Sequence, residues 1–471
     1  MSEAPASSVA WPPRQALARA VGLTAFVYGY PLLESMRTCV LQTAAPTAGD
    51  APGTRAGIDE PMHWAGPTQA SNRDIVTPAN DLMYTTAWIN LAAGPRWLQV
   101  PASAAQPERY FVLALYDAYT ENFENLGPRN CRPDGERVLL VGPDDATPLP
   151  PGARAVRAPT NLVWLIARVL VVDADDLPRA RLLQQMIAIE PLAGSAAPQR
   201  PACVTHWVGG TTDPIAAVDE QGQAPAEVAR SFFGNLSRAL AEAPGNGIDR
   251  GLLAWFGQGG FRPGAGFDFD ALDAGVQTGL VAGLSEGVAL VASSSRHRQA
   301  KPWTLSWRNG RYGSDYLMRA LVAYIGLGAL VPEEALYAAG HFDADGQLLD
   351  GRQHYALHFE PGDWPPAQAF WSVTLYDADR FLFPNPRQRH AIGDRTRGLR
   401  RDADGGLTIH VSHQPPEPAP ALDASGLANA VQLSNWLPAP PGRFYLILRL
   451  YYPGDGVRGW RVPPMKRLAT R

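Results

Sequence analysis

The chain is poor in cysteine: Cys39, Cys131 and Cys203 are the only three in 471 residues. They are odd in number and far apart, which excludes a disulfide framework and any Cys-x-x-Cys metal knuckle. It carries little surplus charge. The net value of −4 is spread along the chain without a basic stripe, so nucleic acid is not an expected partner. No apolar run reaches the ~20 residues needed to span a bilayer, so no membrane association is expected. The start, Met1-Ser-Glu-Ala-Pro-Ala-Ser-Ser8, has no basic segment followed by an apolar one. It does not read as a signal peptide, and a cytoplasmic location is the expectation. A phosphate-cradling glycine loop is also missing. Gly326-Leu-Gly328 sits in an apolar helical stretch and lacks the spacing of a dinucleotide site.

What is present is a chain long enough for two or three domains. Apolar residues make up 46%, an ordinary share for packed cores. Glycine (45) and proline (44) are dispersed, which points to many turns and a loop-rich β architecture. After a flexible tail at 1–13, residues 14–42 repeat apolar side chains at helical spacing (Leu17, Val21, Leu23, Phe26, Tyr30). Pro31 should end or kink that helix, because it removes a hydrogen bond. Short aromatic and β-branched strands follow, at Tyr84–Leu91, Arg109–Asp117, Val138–Val141 and Asn161–Val172. Residues 225–330 are mostly helical in pattern, and strands return from 350 onward. The expected division is an N-terminal helix plus β-sandwich over 14–175, a helical connecting region over 176–330, and a C-terminal β-sandwich over 331–471. The fold class is α+β, mainly β, with two related β-sandwich or jelly-roll-like domains joined by helices.

An internal repeat supports the word "related". Tyr110-Phe-Val-Leu-Ala-Leu-Tyr-Asp-Ala118 aligns with Phe370-Trp-Ser-Val-Thr-Leu-Tyr-Asp-Ala378, 260 positions later. Both segments are strands that end in Leu-Tyr-Asp-Ala and enter a loop. An aspartate kept at both strand ends suggests a shared structural task, taking backbone hydrogen bonds from the turn.

Several segments together carry a resemblance. They are Tyr28-Gly-Tyr-Pro31, Asn72-Arg-Asp74 with Asn80-Asp-Leu-Met-Tyr84, Leu115-Tyr-Asp-Ala-Tyr-Thr-Glu-Asn-Phe123, and Ala158-Pro-Thr-Asn-Leu-Val-Trp164 with Arg168. Further along are Tyr312-Gly-Ser-Asp-Tyr-Leu-Met-Arg-Ala320, Leu349-Asp-Gly351, Ala369–Asp377, and Asn435-Trp-Leu-Pro-Ala-Pro440 followed by Phe444 and Leu448-Arg-Leu-Tyr451. With these the chain resembles, over about residues 20–455, the paired domains of unknown function 1254 (N-terminal) and 1214 (C-terminal). The resemblance implies sandwich domains with helices between them and implies no settled reaction. Many members look secreted, unlike this chain. One departure stands out. Where the family usually carries a Thr-Thr-Gly turn, this chain has Pro128-Arg-Asn-Cys-Arg-Pro-Asp-Gly135. If that turn shapes a pocket, ligand preference differs here.

Candidate site residues come from polar groups set between apolar strands. In Ser71–Asp81 they are either turn-makers or site-makers. On the second reading Arg73 grips a carboxylate or sugar hydroxyls, Asn80 assists, Asp81 acts as general base and Tyr84 as acid or hydrogen-bond donor. Asn122 and Arg129 lie in loops after the first repeat and are free to bind a ligand. Arg319 sits four residues after Asp315 and could pair with it on one helix face. Asn435 precedes the last strand. There, alternation puts Leu446, Leu448 and Leu450 on one face and Tyr445, Ile447, Arg449 and Tyr451 on the other. Arg449 is then a cation–π clamp or a pocket arginine.

No metal site is expected. His354 and His358 lie on a strand, ~13 Å apart and too far to share an ion. His341-Phe-Asp343 superficially resembles half of a facial iron site, but Asp343-Ala-Asp-Gly346 is a turn signal. Gly283-Leu-Ser-Glu-Gly287 matches a nucleophile elbow, yet Val276, Leu280, Leu284 and Val288 recur every four residues and read as one helix. The expectation is a cofactor-independent enzyme acting on a small polar or oxygenated molecule, by acid–base hydrolysis or elimination. The alternative is a carbohydrate- or small-ligand-binding protein without catalysis. Self-association into a homo-oligomer is left open.

Overall fold

In the computed structural model, which describes residues 12–46, 54–218, 222–245, 247–262, 264, 267–296, 300–416 and 433–468, two β-sandwiches flank a layer of helices. The tail expected over 1–13 lies outside the described residues up to residue 11. Pro12 opens the first helix, α1 (Pro12–Gln42).

The first sandwich contains β1 (Met62–His63), β2 (Leu82–Asn90), β3 (Arg96–Val100), β4 (Phe111–Tyr116), β5 (Asn122–Leu126), β6 (Glu136–Val141), β7 (Arg154–Arg157), β8 (Leu162–Leu170) and β9 (Ile189–Pro191). Its five-stranded sheet runs β1-β2-β8-β4-β5 and its four-stranded sheet β7-β6-β3-β9. The helical layer follows as α2 (Leu177–Gln184), α3 (Ala202–Thr205), α4 (Ala226–Glu242), α5 (Arg250–Gln258), α6 (Ala274–Arg296) and α7 (Tyr316–Gly326). The second sandwich is built from β10 (Thr304–Ser306), β11 (Ala335–Gly340), β12 (Tyr355–Phe359), β13 (Ala367–Asp377), β14 (Ala391–Gly393), β15 (Leu407–Ser412), β16 (Trp436–Pro438), β17 (Phe444–Pro453) and β18 (Lys466–Arg467). Its sheets run β10-β11-β17-β13-β14 and β16-β15-β12-β18.

The two topologies are the same, strand for strand. Even the parallel pair recurs, as β6 with β7 and β15 with β16. The turns that close the repeated strands match as well. Asp117 Oδ1 accepts from the N–H groups of Tyr119 and Glu121, both at 2.9 Å. Asp377 Oδ1 accepts from those of Asp379 and Phe381, both at 3.0 Å. Thr120 (φ 70°) and Arg380 (φ 72°) adopt the same left-handed backbone three residues after the aspartate. The shared task of this aspartate is therefore to hold the turn.

Strand alternation sorts side chains into separate cores. Phe111, Leu113 and Leu115 of β4 fill the first sandwich, while Tyr110, Val112, Ala114 and Tyr116 face outward into the largest core. On β17, Leu446, Leu448 and Leu450 fill the second sandwich, and Tyr451 faces the largest core. That largest core lies between the outer faces of the five-stranded sheets and the helices. Trp88 and Trp164 stack there at 4.9 Å, an arrangement contributing about 0.5–1.5 kcal/mol beyond area burial.

The helical layer departs from expectation in three ways. First, α1 runs unbroken through Pro31 to Gln42. Its length is buried against other helices, and that packing outweighs a missing hydrogen bond. Second, the start of the connecting region expected to be helical from 176 onward holds only α2. The chain then returns to the first sandwich as β9, paired to β3, so this sandwich extends to Pro191. Third, two helices, Arg14–Gln42 and Ala274–Ser295, are by length and composition long and apolar enough to cross a membrane. They pack on each other through glycines: a Cβ at Gly283 would stand 2.1 Å from the Arg19 carbonyl oxygen, and one at Gly22 2.7 Å from that of Leu280. The helix through Gly283–Gly287 rules out the strand that a nucleophile elbow needs. Ser285 Oγ instead donates to the Val281 carbonyl.

Candidate functional site: an arginine- and tyrosine-lined cavity

Between the sandwiches lies a cavity of about 1250 Å³. Its walls come from the outer faces of β2, β8, β11 and β17, from α7, and from the segments 74–79 and 303–309. Trp164, Ile166, Leu327 and Ile447 make much of it apolar. Among the described residues its charged lining is one-sided. Arg168, Lys301, Arg308, Arg380, Arg443 and Arg449 face a single carboxylate, Asp74. That carboxylate is itself bound by Arg55 at 2.6 Å.

The duplication sets the polar centre of the cavity. In the first sandwich Tyr84 on β2 stands opposite Arg168 on β8. In the second, Tyr337 on β11 stands opposite Arg449 on β17. Both arginines are central-strand residues, 7% and 4% exposed. Each reaches across to the other half. Arg168 Nη2 donates to the Gly328 carbonyl (2.6 Å), which also accepts from Tyr116 Oη (2.8 Å). Arg449 Nη2 donates to the Thr77 carbonyl (2.8 Å), and Tyr376 Oη donates to the adjacent Pro78 carbonyl (2.6 Å). The two phenols opposite the arginines are held alike: the Ala79 N–H donates to Tyr84 Oη and the Leu330 N–H to Tyr337 Oη, each at 3.1 Å. Burial pushes the Tyr337 phenol above its ordinary value, so it stays protonated.

Of the residues anticipated from sequence, Tyr84 and Arg449 line this cavity. Asp81 and Asn80 line a smaller one of about 460 Å³, beside Ser372, Arg389 and Arg395. Both Asp81 oxygens are buried without a hydrogen-bond partner, and burial raises its carboxyl above the usual range. The Asn80 amide donates to the Thr68 carbonyl at 2.6 Å. Arg73 is half-exposed over the Phe381 ring, 4.0 Å from its centre. Asn122 ties strands together, donating to the Leu115 and Glu124 carbonyls (3.2 Å each) and accepting from the Val331 N–H (3.1 Å). Arg129 pairs with Glu334, to which Tyr110 Oη also donates at 2.8 Å. The pair expected between Asp315 and Arg319 does not form. Asp315 caps α7 by accepting from the Met318 N–H, and Arg319 reaches Glu121 at 2.7 Å. Asn435 is fully buried and bridges backbone, donating to the Arg400 and Thr408 carbonyls.

Arg168 and Tyr337 were not singled out as site residues. The repeat at an offset of 260 does not align them, because Arg168 and Arg449 are 281 positions apart and Tyr84 and Tyr337 are 253 apart. Their equivalence lies in the strand pairing. Arg168 relates to Arg449 as Trp164 relates to Tyr445, and Tyr337 opposes Arg449 as Tyr84 opposes Arg168. For metals, His341 stacks on Tyr445 at 4.8 Å, and Asp343 accepts from the N–H groups of Asp345 and Gln347, a turn as its sequence reads. Sequence reading missed one cluster. His358, Asp402 and Asp404 bring possible ligand atoms within 4.8 Å of one another. In it, Thr408 Oγ1 lies 2.8 Å from His358 Nδ1 and donates to Asp402 at 2.7 Å, so the group is already hydrogen-bonded.

The fold is similar to that of the VPA0106 protein from Vibrio parahaemolyticus, with a TM-score of 0.64 and 21% identity over 97% of this chain and 100% of that one. An uncharacterized protein from Burkholderia cenocepacia aligns with a TM-score of 0.45 and 14% identity, over 94% and 88% of the two chains. No curated protein shows significant similarity to the chain. Residues 58–191 match the family model described as "Protein of unknown function (DUF1254)", and residues 334–455 match that of DUF1214. The first match covers most of one sandwich and the second most of the other, so the chain belongs to the two-part family in which a DUF1254 domain precedes a DUF1214 domain.

Proposed function

We propose that the protein takes up a small organic anion with an apolar body in the cavity between its sandwiches. The observation that carries this reading is two buried arginines on the cavity wall, Arg168 and Arg449, that among the described residues hydrogen-bond only neutral groups. The other basic side chains of the lining are more exposed, and Arg308 is paired with Asp315. Buried cations are stable only when an opposite charge or strong acceptors compensate them. Guanidinium groups favour carboxylates and phosphates because their paired N–H groups match those oxygens. The tryptophan and isoleucine walls suit a flat or aliphatic body.

The acid–base enzyme expected from sequence is the second reading, and Tyr84 favours it. Its phenol borders the cavity opposite Arg168. A phenol in that position can serve as the general acid that hydrolysis or elimination uses. Calorimetric titration with benzoate and with benzamide tests the first reading. Benzoate is expected to bind at least about tenfold more tightly, because charge-assisted hydrogen bonds contribute about 1.5–3 kcal/mol. Binding of the amide as tight as that of benzoate ends the anion reading. Product formation that is lost in Tyr84→Phe separates the enzyme from the binder.

A further inference from the structure

Anion binding leaves open how much charge the ligand carries, and the duplication bears on this. Arg168 and Arg449 occupy the same register position on equivalent central strands, each opposite a tyrosine. Their hydrogen-bond partners are all neutral. For Arg168 they are Tyr116 Oη and the carbonyls of Ile166 and Gly328. For Arg449 they are Thr374 Oγ1 and the Thr77 carbonyl. Both guanidiniums are more than nine-tenths buried, and both line one cavity.

Among the described residues two carboxyl groups lie within electrostatic reach, Glu334 for Arg168 and Asp81 for Arg449. Neither is available to balance the pair. Glu334 is bound by Arg129 and Tyr110. Asp81 makes no hydrogen bond to Arg449 and lines the smaller cavity instead. The two guanidiniums share neighbours. Tyr337 lies within electrostatic reach of both, and so does Tyr84. A single negative charge would therefore satisfy one guanidinium and leave the other uncompensated in a low-dielectric setting.

We infer that the ligand of this cavity is an organic dianion, gripped by Arg168 and Arg449 from the two sandwiches. This inference rests on the anion-binding reading above. Its charges sit either at two ends, as in a dicarboxylate, or on one head, as in a phosphate monoester. The chemistry shared by the two is a double charge facing two guanidiniums.

The test is calorimetric titration of the full chain with four matched probes: benzoate, monomethyl terephthalate, terephthalate and phenyl phosphate. At least one dianion is expected to bind at least about tenfold more tightly than both monoanions, the low end of measured couplings between close charge pairs. Preference for terephthalate places the charges at two ends, and preference for phenyl phosphate places them on one head. In Arg168→Gln and Arg449→Gln the advantage of the dianion is expected to shrink to less than about threefold, because one charge pair is gone. The wild-type comparison decides the matter even where a variant does not fold. If benzoate binds as tightly as both dianions, the dianion is overturned while the anion reading stands. If none of the four binds, both fall.

Discussion

His410 stands on a central strand of the second sandwich, 7% exposed, with Nδ1 lacking a hydrogen-bond partner. Burial pushes its imidazole from an ordinary 6.5 down to about 4, assisted by the neighbouring His354 and opposed by Asp402. Between those two values the unfolded chain takes up a proton that the folded one refuses. Stability is therefore lost as pH falls from about 6.5 to about 4, by roughly 3 kcal/mol from this group. Chemical denaturation at a series of pH values is expected to show a shallower acid limb for His410→Asn than for the parent. Identical limbs would mean that His410 is protonated without penalty. The same scale shows what single residues conceal. Asp117 and Asp377 could be read correctly as turn-holders, because a short polar side chain after a strand has few other uses. Asp81, Asn122 and Asn435 are the same residue types in similar settings, and they differ in task. Whether an asparagine bridges two carbonyls or faces a cavity depends on which distant strand arrives beside it. Local sequence does not carry that information.

Among the elements, the contact between α1 and α6 depends most on a few atoms. Gly283 has no room for a methyl group, since its Cβ would stand 2.1 Å from the Arg19 carbonyl oxygen and 2.7 Å from the Leu23 nitrogen. Gly283→Ala must push the helices apart, and a loss of about 3 kcal/mol is expected. Gly234 on α4 is the matched control. Its Cβ would meet only the flexible end of Arg238, at 3.6 Å. There alanine is expected to be neutral or to stabilise by up to about 1 kcal/mol through helix propensity. Thermal or urea denaturation of the two variants checks the contrast, and similar midpoints would refute close packing as the reason for Gly283. Periodicity made α1 legible nearly to its ends, aromatic and β-branched content did the same for β4, and alternation sorted the two faces of β17. The strands β3, β5, β7 and β11, of four to six residues, were missed, and so were β1, β9, β10, β14, β16 and β18. With two or three residues each, the last six are too brief for alternation to register. They exist because a sheet edge is there to receive them.

Across the whole molecule, the two halves hold each other. Arg168 needs a carbonyl from the segment before β11, and Arg449 needs one from the segment before β2. Tyr110 of the first half reaches Glu334 of the second. The largest core mixes residues of both sheets with all the longer helices. Unfolding is therefore expected as one cooperative calorimetric transition, even though the family match divides the chain in two. Two resolved transitions would show that each sandwich stands alone. Duplication was visible in one pair of strands, but the cavity it creates was not, because a cavity belongs to the way the copies face each other. A design consequence follows for the guanidinium donors of Arg168 and Arg449. The N–H groups that would greet a ligand belong to the same two side chains that clasp the opposite half. A guest that drew those side chains toward itself would loosen the clasp, so tight holding and a rigid vessel compete for the same five hydrogens on each arginine.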